Sequence, residues 1–191
     1  MKSDIDRLMA ERNLDSLIVF GGEGENPHRM YLTGGHEANA TIFKRRGQPA
    51  VMLTNSMEIE NAKQSGLEVV TYDDLKLFEV WAEYKDDRDM ALVKTYERYF
   101  ERFGIEGRVG VYGFGSTGAA WETLKLLSQH FPALEFVGER QQTLFDVAVA
   151  TKDLDEIKHL KDVGRRTNLV MQAAWDFIAS HRAKGDRKSV V

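Results

Sequence analysis

A chain of 191 residues is long enough for one ordinary hydrophobic core plus an appended element, and short for two full domains. Its 42% hydrophobic and 29% charged content, with a net charge of -4, describes a soluble globular protein and gives no electrostatic basis for binding nucleic acid. With no cysteine, disulfides and thiolate metal sites are excluded, and a reducing cytoplasm is the expected compartment.

In chain order, Ser3 or Asp4 caps a short helix with Ile5, Leu8 and Met9 facing inward. Its acids stand where a secretory signal needs an apolar run, and no stretch reaches the ~20 apolar residues of a membrane span. Ser16 to Phe20 reads as a buried strand. Gly21 to His28 reads as a loop, broken by Pro27, and Arg29 to Thr33 as an extended segment that Gly34-Gly35 interrupts. Ala40 to Lys44, a turn around Gly47, and Ala50 to Thr54 predict a β-hairpin. A helix from Ser56 to Gln64 ends at Gly66, and Leu67 to Thr71 supplies a further strand. Asp73 to Tyr84 and Met90 to Phe103 carry helical spacing on either side of the solvated run Asp86-Asp87-Arg88-Asp89. Gly104 and Gly107 bracket a turn into the strand Arg108 to Tyr112. A helix from Ser116 to His130 follows, Pro132 stops it, and Leu134 to Val137 forms another strand. Gln141 to Ala150 is apolar and of ambiguous type.

From Asp153 to about Arg182 the pattern is one long helix, because Ile157, Leu160, Val163, Val170, Ala174, Phe177, Ile178 and His181 recur at three-to-four residue steps. At ~1.5 Å per residue such a helix spans roughly 42 Å, against a radius of gyration of about 15 Å for the preceding globule. Its last turns should therefore protrude. Met171, Trp175 and Ile178 widen the stripe there, which predicts a second body for the helix to meet. The stretch Ala183 to Ser189 is polar and linker-like.

Several motifs carry candidate chemistry. Gly113-Phe114-Gly115-Ser116-Thr117-Gly118 satisfies G-x-G-x-x-G between a predicted strand and helix, and Glu139 lies where an acid could bind a ribose hydroxyl. The pattern arrives late in the chain with too few strands after it, so a tight strand-to-helix turn is the favoured reading. His36-Glu37 begins like H-E-x-x-H, but Ala40 stands at the second histidine, and one ligand does not hold zinc. Of the histidines at 28, 36, 130, 159 and 181, only His28 and His36 share a plausible surface. No serine sits in a G-x-S-x-G elbow, so nucleophilic catalysis has no carrier.

The order of several segments, including the strand Arg108 to Tyr112 with its helix, carries a family resemblance. Arg29-Met30-Tyr31-Leu32-Thr33-Gly34-Gly35 precedes the hairpin Ala40 to Thr54 and then Met57-Glu58-Ile59-Glu60-Asn61-Ala62. Lys152-Asp153-Leu154-Asp155-Glu156-Ile157-Lys158-His159-Leu160-Lys161 is similar to a Lys-x-x-x-Glu-Ile-x-x-Leu-Arg helix opening, with Lys161 where arginine is usual. Together they resemble the N-terminal domain of the creatinase, prolidase and Xaa-Pro aminopeptidase family, over nearly the whole chain. The resemblance implies an α/β fold, a mixed β-sheet flanked by helices, with residues 1–150 as the N-terminal domain. Residues 151–191 would be the connecting helix that opens a C-terminal catalytic domain. That domain would bind two divalent metal ions through two aspartates, a histidine and two glutamates, none of which is assignable here. No metal, cofactor or catalytic residue is expected in this chain. The implied role is non-catalytic, serving homodimerisation and active-site access, with the chain's own catalytic domain as partner and no membrane. Gly34, Gly35, His36 and Glu37 form the candidate access loop. The alternatives are a nucleotide-binding module using Gly113, Gly115, Gly118 and Glu139, and a standalone protein-interaction domain docking through the helix around Trp175. Substrate and metal identity are not encoded in these residues.

Overall fold

A computed structural model describes residues 2–22, 24, 26–36, 38–113 and 115–181. The chain divides into two compact units, Met1–Thr151 and Lys152–Val191.

The first unit is built on a six-stranded mixed sheet. Its strands are β1 (Ser16–Val19), β2 (Ala40–Arg45), β3 (Val51–Thr54), β4 (Glu68–Thr71), β5 (Arg108–Tyr112) and β6 (Glu135–Val137), in the spatial order β4-β3-β2-β1-β5-β6. β2 pairs antiparallel with both β1 and β3, while β1–β5, β3–β4 and β5–β6 are parallel. β1 is central, with Ile18 opposite Phe43 on one side and Val111 on the other. Every residue of β1 is buried, as expected where helices cover both faces of a sheet.

Side-chain alternation divides the core in two. Leu17, Val19, Ile42 and Met52 face a cluster closed by α1 (Ile5–Glu11), α2 (Pro27–Thr33), α3 (Ile59–Lys63) and α7 (Leu144–Ala150). Ile18, Phe20, Phe43 and Leu53 face the other, closed by α4 (Leu77–Glu83), α5 (Arg88–Phe103) and α6 (Thr117–His130). There Phe43 stacks on Phe103 at 4.4 Å and Phe100 meets Phe131 edge-on at 5.0 Å. Each such buried side chain contributes about 1.5–3 kcal/mol, which is why this framework follows from the alternation of apolar residues.

Two local readings need correction, and two others gain detail. Arg29 to Thr33 is not extended, and the predicted loop is cut short, because Pro27–Thr33 is helical. Asn26 Oδ1 accepts the His28 and Arg29 N–H groups, Pro27 occupies the first turn where it sacrifices no hydrogen bond, and Gly34 ends the helix at φ +72°. The ambiguous Gln141 to Ala150 contains α7, fixed by a reciprocal cap in which Thr143 and Asp146 satisfy each other's N–H groups. The Asp73 to Tyr84 helix starts only at Leu77, because Asp74 folds back to accept the Thr71 N–H and hydroxyl at 2.8 Å each, and Lys76 adopts φ +52°. The Asp86 to Asp89 run is partly structural, since Asp87 caps α5 by accepting the Met90 N–H at 3.0 Å.

In the second unit, α8 (Leu154–Ser180) is a 27-residue helix. Glu156 accepts the Asp153 N–H at 2.8 Å and anchors its first turn. None of its residues is buried, and Val170, Met171, Trp175, Phe177 and Ile178 are all exposed. The predicted end at Arg182 and the polar stretch Ala183 to Ser189 lie outside the described residues.

Candidate functional site

After β1 the chain runs outward through β2, β3 and β4, then returns to place β5 on β1's other side. Adjacent parallel strands whose connections diverge leave a crevice at their carboxyl ends, the customary ligand position in open α/β sheets. Antiparallel pairing brings the start of β2 to the same edge, because Ile42 lies opposite Val19. Of the two loops singled out from sequence, the described residues Gly34 to His36, ahead of β2, and Gly113, directly after β5, therefore belong to one end of the sheet.

Asn26 fills the crevice. Its Nδ2 donates to the Phe20 carbonyl at 3.0 Å and the Gly113 carbonyl at 3.2 Å, while its Oδ1 caps α2. Gly113 is required by this approach: it sits at φ +83°, and a Cβ there would lie 2.4 Å from Asn26 Nδ2. Gly115 and Gly118 have no such neighbour within 4 Å. Phe114 lies outside the described residues. Ser116 precedes α6 without a side-chain cap bond.

Glu139, the acid of the nucleotide reading, has its carboxylate engaged within the unit. Oε1 pairs with Arg12 Nε at 2.7 Å, and Oε2 accepts the Tyr112 hydroxyl at 2.6 Å and the Leu144 N–H at 2.8 Å. Burial, reinforced by the bond to Glu139, raises the Tyr112 hydroxyl far above its ordinary pKa. This network ties the end of α1 and the end of β5 to the start of α7.

The access-loop candidates follow α2 directly. Gly34 and Gly35 have φ of +72° and +94°, His36 is exposed, and its carbonyl lies 2.8 Å from the Thr33 hydroxyl. Glu37 lies outside the described residues. The far end is anchored by buried Ala38 and by the Asn39 carbonyl, which accepts the Thr54 hydroxyl at 2.8 Å. His36 thus projects from a loop fixed on both sides.

Sequence reasoning gave neither Asn26 nor His28 a role here. His28 packs against Phe145 at 4.8 Å and Tyr112 at 5.6 Å between ring centroids. Its Nδ1 is buried with no hydrogen-bond partner among the described residues. The Asn-Pro start of α2 was the available signal for Asn26; His28's neighbours come from distant segments and left none.

Among the described residues, no three His, Asp or Glu side chains converge as a metal site, and no helix is long and apolar enough to cross a membrane. The donor set of a two-metal centre is not found in them.

Residues 3–144 match the family model described as the Creatinase/Prolidase N-terminal domain, and the chain belongs to that family. Three solved structures share its fold. A dipeptidase from Pyrococcus horikoshii OT3 is 16% identical with a TM-score of 0.57, covering 92% of this chain and 44% of its own. A prolidase from Thermococcus sibiricus is 14% identical with a TM-score of 0.55, covering 96% of this chain and 44% of its own. An X-Pro aminopeptidase from Thermotoga maritima MSB8 is 15% identical with a TM-score of 0.53, covering 83% of this chain and 38% of its own. At such identities the likeness is one of fold. The chain spans less than half the length of each of these structures. No curated protein matches it in sequence.

Proposed function

We propose that this chain is the non-catalytic N-terminal domain and first connecting helix of a metal-dependent Xaa-Pro peptidase, of the aminopeptidase P or prolidase kind, or of a creatinase-like hydrolase. The observation that carries the reading is the family match over residues 3–144, in a chain that spans less than half the length of the three peptidase structures named above. The exposed apolar face of α8 supports it, since an apolar stripe of this length is ordinarily covered by another body. Water activation by two divalent ions needs a convergent carboxylate and imidazole shell, which belongs in this reading to the catalytic domain. The present chain serves homodimerisation in the cytoplasm and restricts access to that centre.

Purified as these residues alone and supplied with Mn²⁺ and an Xaa-Pro dipeptide, the chain should show no hydrolysis above the metal-only control. Enzymatic turnover that survives further purification overturns the assignment.

The access role falls to Gly34, Gly35, His36 and Glu37, whose described members hold His36 outward on a loop anchored at both ends. In the full-length parent, His36→Ala should raise KM severalfold and leave kcat nearly unchanged, the signature of lost ground-state binding. Identical kinetics in variant and parent would remove this role while leaving the family reading untouched.

A further inference from the structure

We propose that His28 is a proton-operated latch that holds α2 against α7 and releases it in mild acid. Contacts from α2 to α7 converge on Phe145 and the turn beyond it. The His28 ring lies 4.8 Å from Phe145, Tyr31 meets Phe145 edge-on at 6.2 Å, and the Tyr31 hydroxyl donates to the Ala148 carbonyl at 3.1 Å. His28 and Tyr31 stand three residues apart and so share one face of α2.

Neutral imidazole suits this position as a flat, half-buried ring. The imidazolium carries an N–H on both ring nitrogens, and Nδ1 is buried with no acceptor among the described residues. The rings of Tyr112 and Phe145 pack tilted against His28 at 51° and 58°, and neither supplies a hydrogen-bond acceptor to Nδ1. The charged group facing it from α7 is Asp146, whose carboxylate already caps α7 through Thr143. From β5 it meets Tyr112, behind which stand Glu139 and Arg12. On α2 itself, Arg29 donates to the Gly22 and Gly24 carbonyls.

Burial lowers the His28 pKa below its ordinary 6.5, and Asp146 opposes this only in part. The unfolded or unlatched chain then takes up the proton first. The latch contributes fully above pH 6.5 and weakens progressively as pH falls from there toward the folded-state value. Because Gly34 caps α2, release would also free the start of the loop carrying His36. Only that last consequence rests on the access role proposed above.

Amide hydrogen exchange on this chain, corrected for intrinsic rates, reads the latch directly. Protection at Met30 and Gly35, whose N–H groups bond to the Asn26 and Met30 carbonyls, should fall severalfold between pH 7 and pH 5, more than in the β1 amides. His28→Phe, which fills the same space without a titrating group, should abolish the difference. His28→Gln serves the same purpose if the phenylalanine variant does not fold. The proposal is overturned if exchange in α2 is flat with pH, if both variants keep the wild-type dependence, or if the imidazole signals of His28 titrate at or above 6.5. Exchange in the isolated chain is independent of peptidase kinetics, so a failed latch and a failed access role are separable.

Discussion

Asn26→Ala is expected to destabilise the first unit by about 2–4 kcal/mol, combining the loss of a helix cap with the loss of the Asn26 donor from the Phe20 and Gly113 carbonyls. One side chain performs both jobs. Its Oδ1 faces the His28 and Arg29 N–H groups and its Nδ2 faces the Phe20 and Gly113 carbonyls, so donors and acceptors alone fix the orientation of the amide. Capping by itself is worth ~1 kcal/mol. The larger share comes from the carbonyls, which end the two central parallel strands at a place where the alanine would leave a gap. Asn26→Asp separates the contributions: it keeps the cap acceptor but turns an anionic oxygen toward two carbonyl oxygens, and should cost at least as much as alanine. Urea denaturation followed by circular dichroism should show the midpoint falling at unchanged slope for both variants. An alanine variant within ~0.5 kcal/mol of the parent, the scatter typical of neutral surface changes, would show that the crevice is not held by Asn26.

The legibility of this fold follows the range of its interactions. Strands Ser16–Val19, Ala40–Arg45, Val51–Thr54, Glu68–Thr71 and Arg108–Tyr112 are readable because alternation and the turn glycines are local signals. α5 and α8 are readable because a stripe repeated over several turns tolerates one or two ambiguous residues. Over Pro27–Thr33 two local signals compete: Tyr31 and Thr33 favour strands, and Pro27 punctuates, yet Asn-Pro at the front and Gly34 at the back define a short helix. α7 is ambiguous in sequence because an apolar run of seven residues suits either type, and only the Thr143–Asp146 cap decides it. The crevice was beyond reach in principle. Asn26 meets a carbonyl 87 residues away, so no spacing in the sequence announces the contact. The first glycine of the G-x-G-x-x-G pattern, Gly113, meets a partner 87 residues away in Asn26, which no local pattern announces.

Glu139→Ala should produce a loss of similar size, about 2–4 kcal/mol, and it discriminates between two meanings of the same residue. If Glu139 is structural, removing it strands three donors at once: Arg12 Nε, the Tyr112 hydroxyl and the Leu144 N–H. The pair is only partly accessible, at 17% for Glu139 and 21% for Arg12, so solvent repays a fraction of the loss and the cost falls short of that for a fully buried ion pair. Glu139→Gln retains the shape and one acceptor oxygen and should fall between alanine and the parent. Arg12→Ala combined with Glu139→Ala should cost less than the two single changes added together, because the second removal deletes a charge that has already lost its partner. Thermal or urea unfolding of the four proteins measures this coupling. A dinucleotide role predicts the reverse pattern, in which Glu139→Ala leaves stability intact and abolishes a fluorescence response of Trp121 to added NAD. Three internal bonds on one carboxylate favour the first pattern, because each lone pair already committed within the unit must be released before a ribose hydroxyl can be bound.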